Sequence, residues 1–539
     1  MIKRTVYLKY IPLTVFILLI FAFINFKLAF ALYDMINRAL EGDWVGFFDN
    51  AKVVMIFALL MLPTNLLIVY FKGTAVKKIM IEMKEGYIKS VFQKNISEFQ
   101  QDNNALYISA LTNDFNTIEK DYVEQIFEVI EAFIAFTTSI LIITLISPVI
   151  FLIGVAMVLL NAIISIFATK PIKKHHKERS EMMSSYGGFI KEILSAFNII
   201  KTNNLESKVI ASYNLESKKI QDKKYVIDRI MSYIYAIQNV NSGVLFMGLM
   251  LAVCFLTIKG VILFSGVVVI VTNIDNITKP IAQFSEAIPR MISVKALFNR
   301  IEDTLVNHYV YEENTSFNGL QDSIEFRGVS FSYGDKLILD TINLKFEKGK
   351  KYLIIGPSGG GKSTLLRLLR KYFPPQAGKI LVDGIELQDI MKFDYFSKIS
   401  NIEQQIFLFE DTFKNNMTLY KEYSNEELCD AINRAGLNEF VEEHTDGINR
   451  LILDNGKNIS GGEKSRIAIA RGLLIKANII FLDEAFASLD RQRAMDIENS
   501  LFALNGVTVI NVSHVIIEEN KNKYDKIIMV NKKKCIIVE

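Results

Sequence analysis

The chain has 539 residues, half of them apolar, with a formal net charge of +3, five histidines and three cysteines. That length suggests several domains, and so high an apolar share argues against a purely soluble protein. A charge this small gives no case for a nucleic-acid partner, and Cys254, Cys429 and Cys535 have neither metal-ligand spacing nor the setting of a disulfide framework.

Six apolar runs near the length of a membrane-crossing helix occur at about 11–33, 51–71, 126–147, 149–169, 243–258 and 261–277. Tight turns at Ser147-Pro148 and Lys259-Gly260 join the last two pairs. Cations cluster at Lys3, Arg4 and Lys9, at Lys72, Lys77 and Lys78, and at Lys170, Lys173, Lys174 and Lys177, whereas the loop "EGDWVGFFDN" is acidic. That asymmetry predicts both termini on the cytosolic side. The first run is too long for a signal-peptide core and lacks a small-residue cleavage site, so it reads as a span.

Polar segments of roughly 55 and 75 residues separate the second run from the third and the fourth from the fifth, too long and too regular to be loops. They read as cytosolic continuations of the membrane helices. Each has an Asn-rich break, in "QQDNNALYISALTNDFNTIEKDY" and "EILSAFNIIKTNNLESK", suited to a short crossing helix. On the third run Glu124, Glu128 and Glu131 share one helical face, and Asp275 lies near the end of the sixth. Two readings stay open: these acids pair with cations on neighbouring helices such as Arg229 or Lys279, or simply sit in the cytosol; or they form an acidic inner vestibule for cationic amphiphiles or basic peptides.

The helical stretch "KPIAQFSEAIPRMISVKALFNRIEDTL" and the polar linker "YEENTSFNGLQDS" lead to a soluble domain starting near Ser323. The predicted division is 1–310 for the membrane domain, 311–322 for the linker and 323–539 for the soluble domain. Short runs "KYLIIG", "KILVDG", "NIIFLDE" and "VTVINVSH", alternating with helical segments, predict an α/β domain with a largely parallel sheet.

"GPSGGGKST", Gly356, Pro357, Ser358, Gly359, Gly360, Gly361, Lys362, Ser363 and Thr364, follows the strand "YLII" and opens a helix. This is the phosphate-loop pattern: bare N–H groups face phosphate oxygens, Lys362 neutralises charge and Ser363 can ligate magnesium. The strand "NIIFLDE" ends in Asp483, suited to holding Mg²⁺, and Glu484, suited to orienting or deprotonating water. His514 ends another β-rich strand and could touch the γ-phosphate. A second anion-binding turn, "NISGGEKSRIAIARG", holds Ser460, Gly461, Gly462 and Glu463 at the start of a helix.

This ordered set resembles the ATP-binding cassette transporters of the exporter half-transporter type. The resemblance covers nearly the whole chain. It implies an all-α six-helix transmembrane domain with long cytosolic helix extensions, followed by an α/β phosphate-loop (RecA-like) ATPase domain with a helical subdomain. It implies ATP and Mg²⁺ as ligands, Tyr333 stacked on adenine, and Gly356 to Thr364 around the phosphates. It assigns Ser363, Gln404 and Asp483 to magnesium, and Glu484, with Gln404 and His514, to catalysis. Ser460 to Glu463 become the family signature, which faces the nucleotide of the partner chain, and Asp490 a dimer contact. The two Asn-rich breaks become coupling helices.

The implied protein is a dimer, a homodimer in preference to a heterodimer, and the small size without organellar targeting suggests a bacterial plasma membrane. The implied activity is ATP-driven efflux of an amphipathic peptide, lipid or drug-like compound by alternating access. An importer on the same scaffold and a non-transporting membrane regulator are the alternatives. With few residues ahead of the first span, no leader-cleaving peptidase is expected. Two departures stand out: Ile459 and Glu463 replace leucine and glutamine in the signature, and Leu453 and Asp454 replace a glycine-glutamate before it.

Overall fold

The computed structural model describes residues 9–102, 104–273, 275–307, 312–486, 489–514 and 516–538, and in it the apolar runs of the first part are helical. α1 (Ile11–Glu41) opens with Pro12 in its first turn, where a missing N–H costs nothing, and closes at Gly42 with φ +75°. α2 (Trp44–Phe92) is capped by Asp43, whose carboxylate accepts the Gly46 N–H at 3.0 Å. Next come α3 (Ile96–Gln101), α4 (Asn104–Ser109), α5 (Phe115–Ile118) and α6 (Glu124–Ile146). The last three join through π-turns at Ala110–Asp114 and Glu119–Val123 into one helical run. α7 (Pro148–Ser195), α8 (Phe197–Thr202), α9 (Glu206–Ile258), α10 (Phe264–Asn273) and α11 (Asp275–Leu305) follow.

Among the described residues four helical runs, Ile11–Glu41, Trp44–Phe92, Asn104–Ile146 and Glu206–Ile258, are long and apolar enough to cross a membrane. The predicted fourth span, 149–169, lies in α7, where most of its side chains fall outside the described residues. The predicted sixth, 261–277, contains the ten-residue α10 and crosses residue 274, also outside them. On α2 a helical stripe of Leu59, Leu62, Leu66 and Val69 is exposed, as a lipid-facing surface would be. Ile17, Leu18 and Ile68 are buried against Ile130 and Ile134, tying α1, α2 and α6 together.

Each Asn-rich break has a short helix beside it, α3 and α8, and the second break turns at Asn204 with φ +54°. α3 lies just ahead of the asparagines instead of among them, because the residues after Asn104 carry on as helix into α6. The chain divides into two compact units: Met1–Gln93 with Asn103–Val306, and Lys94–Asp102 with Asn307–Glu539. The segment bearing α3 thus groups with the second unit, where the Asn95 N–H donates to Asn307 Oδ1 at 2.9 Å and Lys392 Nζ donates to Asn95 Oδ1 at 2.8 Å.

The second unit contains β1 (Ser323–Tyr333), β2 (Lys336–Glu347), β3 (Lys351–Ile355), α12 (Lys362–Leu369), β4 (Ala377–Val382), β5 (Ile385–Glu386), α13 (Lys392–Lys398) and β6 (Ile399–Ile402). A helical part follows, with β7 (Asp411–Thr412), α14 (Phe413–Thr418), α15 (Asn425–Arg434), α16 (Asn438–Glu442), β8 (Leu451–Ile452) and α17 (Gly461–Leu474). The chain closes with β9 (Ile479–Asp483), α18 (Arg491–Phe502), β10 (Thr508–Val512), α19 (Glu518–Lys521), β11 (Lys526–Asn531) and β12 (Lys534–Ile537).

A six-stranded sheet runs in the order β12-β11-β3-β10-β9-β6, parallel except for its edge strand β12. Its middle strands are buried on both faces, which is why "YLII", "NIIFL" and "VTVINV" are continuously apolar. "KILVDG" departs from expectation. It forms β4 of a separate antiparallel sheet, β2-β1-β4-β5, in which Ile324 faces Val382. A parallel sheet carries its strand ends on one edge, and β3, β9 and β10 deliver the phosphate loop, Asp483 and His514 there.

Candidate functional site

The loop between β3 and α12 turns through three left-handed glycines, Gly356 (φ +147°), Gly359 (φ +74°) and Gly361 (φ +106°). At Gly356 a Cβ would stand 2.2 Å from the Val530 carbonyl oxygen, so only glycine allows the loop to lie against β11. A Cβ at Gly360 would meet the Pro357 and Val530 oxygens at 3.0 Å. Lys362 and Ser363 start α12, with Thr364 buried behind them. Lys362 Nζ arches over the loop, donating to the Gly356 and Pro357 carbonyls at 3.0 Å each and lying 3.2 Å from His514 Nε2. Burial pulls its pKa below the ordinary lysine value, opposed by Glu484 and Asp483.

Ser363 Oγ donates to Asp483 Oδ1 at 3.1 Å. Burial raises the Asp483 carboxyl above its usual range, against the opposing charge of Arg370 and the Ser363 bond. Glu484 has φ +52°, a strained value for a side-chain-bearing residue, and its N–H is tied to Val512 O at 2.9 Å. Held there, its carboxylate takes Gln404 Nε2 at 2.7 Å on one oxygen and lies 2.8 Å from His514 Nε2 on the other. Lys362, Ser363, Asp483, Glu484, Gln404 and His514 thus form one connected cluster on the strand ends.

Tyr333 ends β1 with its ring edge-on to Phe331 and Phe373 and about a third of its surface exposed, and its Oη accepts Arg367 Nη1 at 3.1 Å. Ser358 lies at the exposed tip of the phosphate loop. The other predicted residues sit on separate elements. Ser460 is the N-cap of α17, followed by Gly461 and Gly462, and Asp490 is the N-cap of α18, accepting Arg493 N–H at 2.9 Å. The N-terminus of α17 is exposed at Ser460 and Gly461.

The chemistry of the loop fits a polyphosphate: a glycine cradle that a Cβ would fill, a helix N-terminus and a buried lysine. Ser363 hydroxyl, Asp483 carboxylate and Gln404 amide are hard oxygen donors of the kind Mg²⁺ takes. Two cations in "LLRLLRKYF" that no motif marks are also buried beside the site. Arg370 and Lys371 are 2% and 4% exposed at the end of α12, and Lys371 is left-handed at φ +56°. The signal available was two adjacent cations directly after the apolar pair Leu368-Leu369.

Lys279 Nζ lies 2.8 Å from Asp275 within α11 itself, not across to a neighbouring helix, and Lys72 Nζ lies 3.9 Å from Glu131, a partner the sequence did not suggest. Arg229 lies instead over the Tyr225 ring, at 5.6 Å.

The family profile of the ABC transporter transmembrane region matches residues 11–280, half of the chain, and the ABC transporter profile matches residues 339–487. The chain belongs to the ABC transporter family. An ATP-dependent lipid A-core flippase of Desulfotalea psychrophila (strain LSv54 / DSM 12343) is 35% identical over 232 residues, covering 43% of this chain and 39% of that protein. The chain therefore spans about two fifths of the length of that curated relative. The uncharacterized ABC transporter ATP-binding protein YfiC of Bacillus subtilis (strain 168) is 24% identical over 451 residues, 83% of this chain and 75% of its own. A solved bacterial Atm1-family ABC exporter with ATP bound superposes with a TM-score of 0.83 at 18% identity, covering all of this chain and 95% of the other. At that identity it establishes the shared fold.

For an ABC transporter, the two sequence departures have local physical accounts. Glu463 completes a capping box: its carboxylate accepts the Ser460 N–H at 2.6 Å while Ser460 Oγ accepts the Glu463 N–H at 3.2 Å. Glutamate and glutamine serve that motif equally, so the substitution preserves the turn. Leu453 is exposed, and Asp454 and Asn455 turn through left-handed conformations, with Asn455 Oδ1 accepting the Leu408 N–H at 2.9 Å.

Proposed function

We propose that the chain is one half of a dimeric, ATP-driven exporter that moves an amphipathic compound, with lipid as the leading class, out across a bacterial plasma membrane. The observation that carries this reading is the cluster in which Glu484 is held between Gln404 and His514 beside the Ser363–Asp483 pair. ATP would lie along Gly356–Ser363 with its base against Tyr333. Mg²⁺, held by Ser363, Asp483 and Gln404, would neutralise charge on the phosphate oxygens. Glu484 accepts a proton from the attacking water, while His514 and Gln404 fix its carboxylate and Lys362 balances charge at the transferred phosphate. The flippase relatives support lipid as cargo.

The exposed N-terminus of α17 suits an anion that this chain's own loop does not supply, which supports closure by a second copy. On this reading residues 1–310 hold the cargo, 323–539 bind nucleotide, and both termini face the cytosol. The test is to reconstitute the purified chain alone in liposomes and screen lipids, peptides and drugs for ATPase stimulation and for ATP-dependent, vanadate-sensitive movement. Stimulation with movement away from the nucleotide-binding side supports export. Movement toward that side would establish import, and ATPase activity without movement of any compound would establish a regulator.

A further inference from the structure

We propose that Arg370, Tyr372 and Glu403 form a positioning cluster for the loop that carries Gln404, and that through this loop they set how the site takes up Mg²⁺. The magnesium part rests on the function proposed above. Arg370 is the C-cap of α12, the helix whose first two residues are Lys362 and Ser363. Its guanidinium is carried into the interior among leucines: Leu365, Leu366, Leu368 and Leu369 are fully buried and Arg370 is 2% exposed. Packing alone would favour another leucine, since a buried guanidinium is costly unless its N–H groups are matched. Here they are matched sparsely. Nη2 donates to Ile402 O at 3.4 Å, Nη1 lies 3.7 Å from Glu403 Oε1, and Nε has no hydrogen-bond partner among the described residues.

These contacts fall on the two residues immediately before Gln404. A second tether reaches the same carboxylate, because Tyr372 Oη donates to Glu403 Oε1 at 2.9 Å. Beyond Ile402 the chain leaves β6, and Gln404 and Gln405 are exposed and irregular. Gln404 nevertheless reaches Glu484 at 2.7 Å. α12, about 12 Å long at 1.5 Å per residue, therefore serves the site from both ends. Its N-terminus presents Lys362 and Ser363, and its C-terminus holds the strand end from which Gln404 projects. Glu403 is itself half-exposed, so it is the tethers, not burial, that fix it.

The test uses the full chain in lipid nanodiscs and two independent readouts. Amide hydrogen exchange across residues 402–409 reports loop order whether or not the protein hydrolyses ATP. For Glu403→Ala we expect faster exchange there, with the α12 peptide unchanged. The Mg²⁺ concentration giving half-maximal ATPase should rise by about 10-fold or more, as for other residues that orient ligands, while KM for ATP stays within about twofold. Tyr372→Phe should shift both readouts in the same direction by less. The double variant Arg370→Met with Glu403→Met removes both charges at similar bulk and guards against misfolding. If the pair is merely structural, this variant restores wild-type exchange and Mg²⁺ response, and the proposal fails. Unchanged exchange in Glu403→Ala also overturns it. Wild-type protein without ATPase activity would refute the function proposed above, while the exchange comparison would still decide the cluster.

Discussion

Gly356→Ala and Gly359→Ala place the same methyl group in the same loop, yet the structure assigns them different costs. Both glycines have positive φ, +147° and +74°. At Gly359 a Cβ meets nothing within 4 Å among the described residues, so the cost is the left-handed conformation alone, roughly 1–2 kcal/mol. At Gly356 the Cβ falls 2.2 Å from Val530 O, a backbone atom of β11, and 3.1 Å from its carbonyl carbon. The strand cannot yield without disturbing its pairing with β3. Strain of about 1–3 kcal/mol and overpacking of similar size then add to roughly 2–6 kcal/mol. At about 2–4 °C per kcal/mol for a domain of this size, Gly356→Ala should lower the melting point by roughly 4–24 °C and Gly359→Ala by roughly 2–8 °C. The assay is thermal unfolding of the full chain in nanodiscs, followed by pulse proteolysis of the second unit. An equal shift for the two variants would refute the argument from the Val530 contact.

Mixing Ser460→Arg chains with Lys362→Ala chains should restore one working site, since both lesions fall in the other, while neither variant alone hydrolyses ATP. A verified mixed dimer without activity would place the whole site within one chain. Glu313→Ala leaves the buried Lys371 ammonium without its 3.1 Å partner and should cost about 3–5 kcal/mol by denaturant titration, most of it recovered in Glu313→Ala with Lys371→Gly. Burial alone would raise the Glu313 carboxyl, but the Lys392 N–H and the Lys371 ammonium outweigh it and hold the pKa below the ordinary value. Its contribution is therefore complete at neutral pH and lost as pH falls through that depressed value, a loss that Glu313→Ala should abolish in stability measured from neutral to acid pH. Glu131→Gln breaks a long, half-exposed pair with Lys72, so basal ATPase and stability should both stay near wild type, the latter within about 1 kcal/mol.

What the sequence made legible was local. The phosphate loop, the strand ending in Asp483 and the capped turn at Ser460 are contiguous stretches whose backbone demands fix their residue types. Sheet membership was less legible: "KILVDG" is as apolar and β-branched as its neighbours, and only its pairing with Ile324 to Arg327 places it in the antiparallel sheet. At the first Asn-rich break the helix ends at Gln101 and Asp102 is extended, but the short helix lies before the break because the residues from Asn104 continue as helix toward α6. Arg370 and Lys371 gave a weak signal, since a cation at a helix end usually faces solvent and only tertiary packing buries these two. The position of Glu484 depends on a left-handed backbone that no residue type there announces.

The most direct test of the account is the ATPase rate of Glu484→Gln beside its ATP affinity. Glutamine keeps the size and one acceptor oxygen, enough for the Gln404 Nε2 contact at 2.7 Å, but cannot accept a proton. Turnover should fall by roughly 10²–10⁴-fold while ATP still binds and is trapped in a stable dimer. Near-normal turnover in that variant would contradict the assignment of Glu484 as the base, and with it the chemistry proposed for this chain.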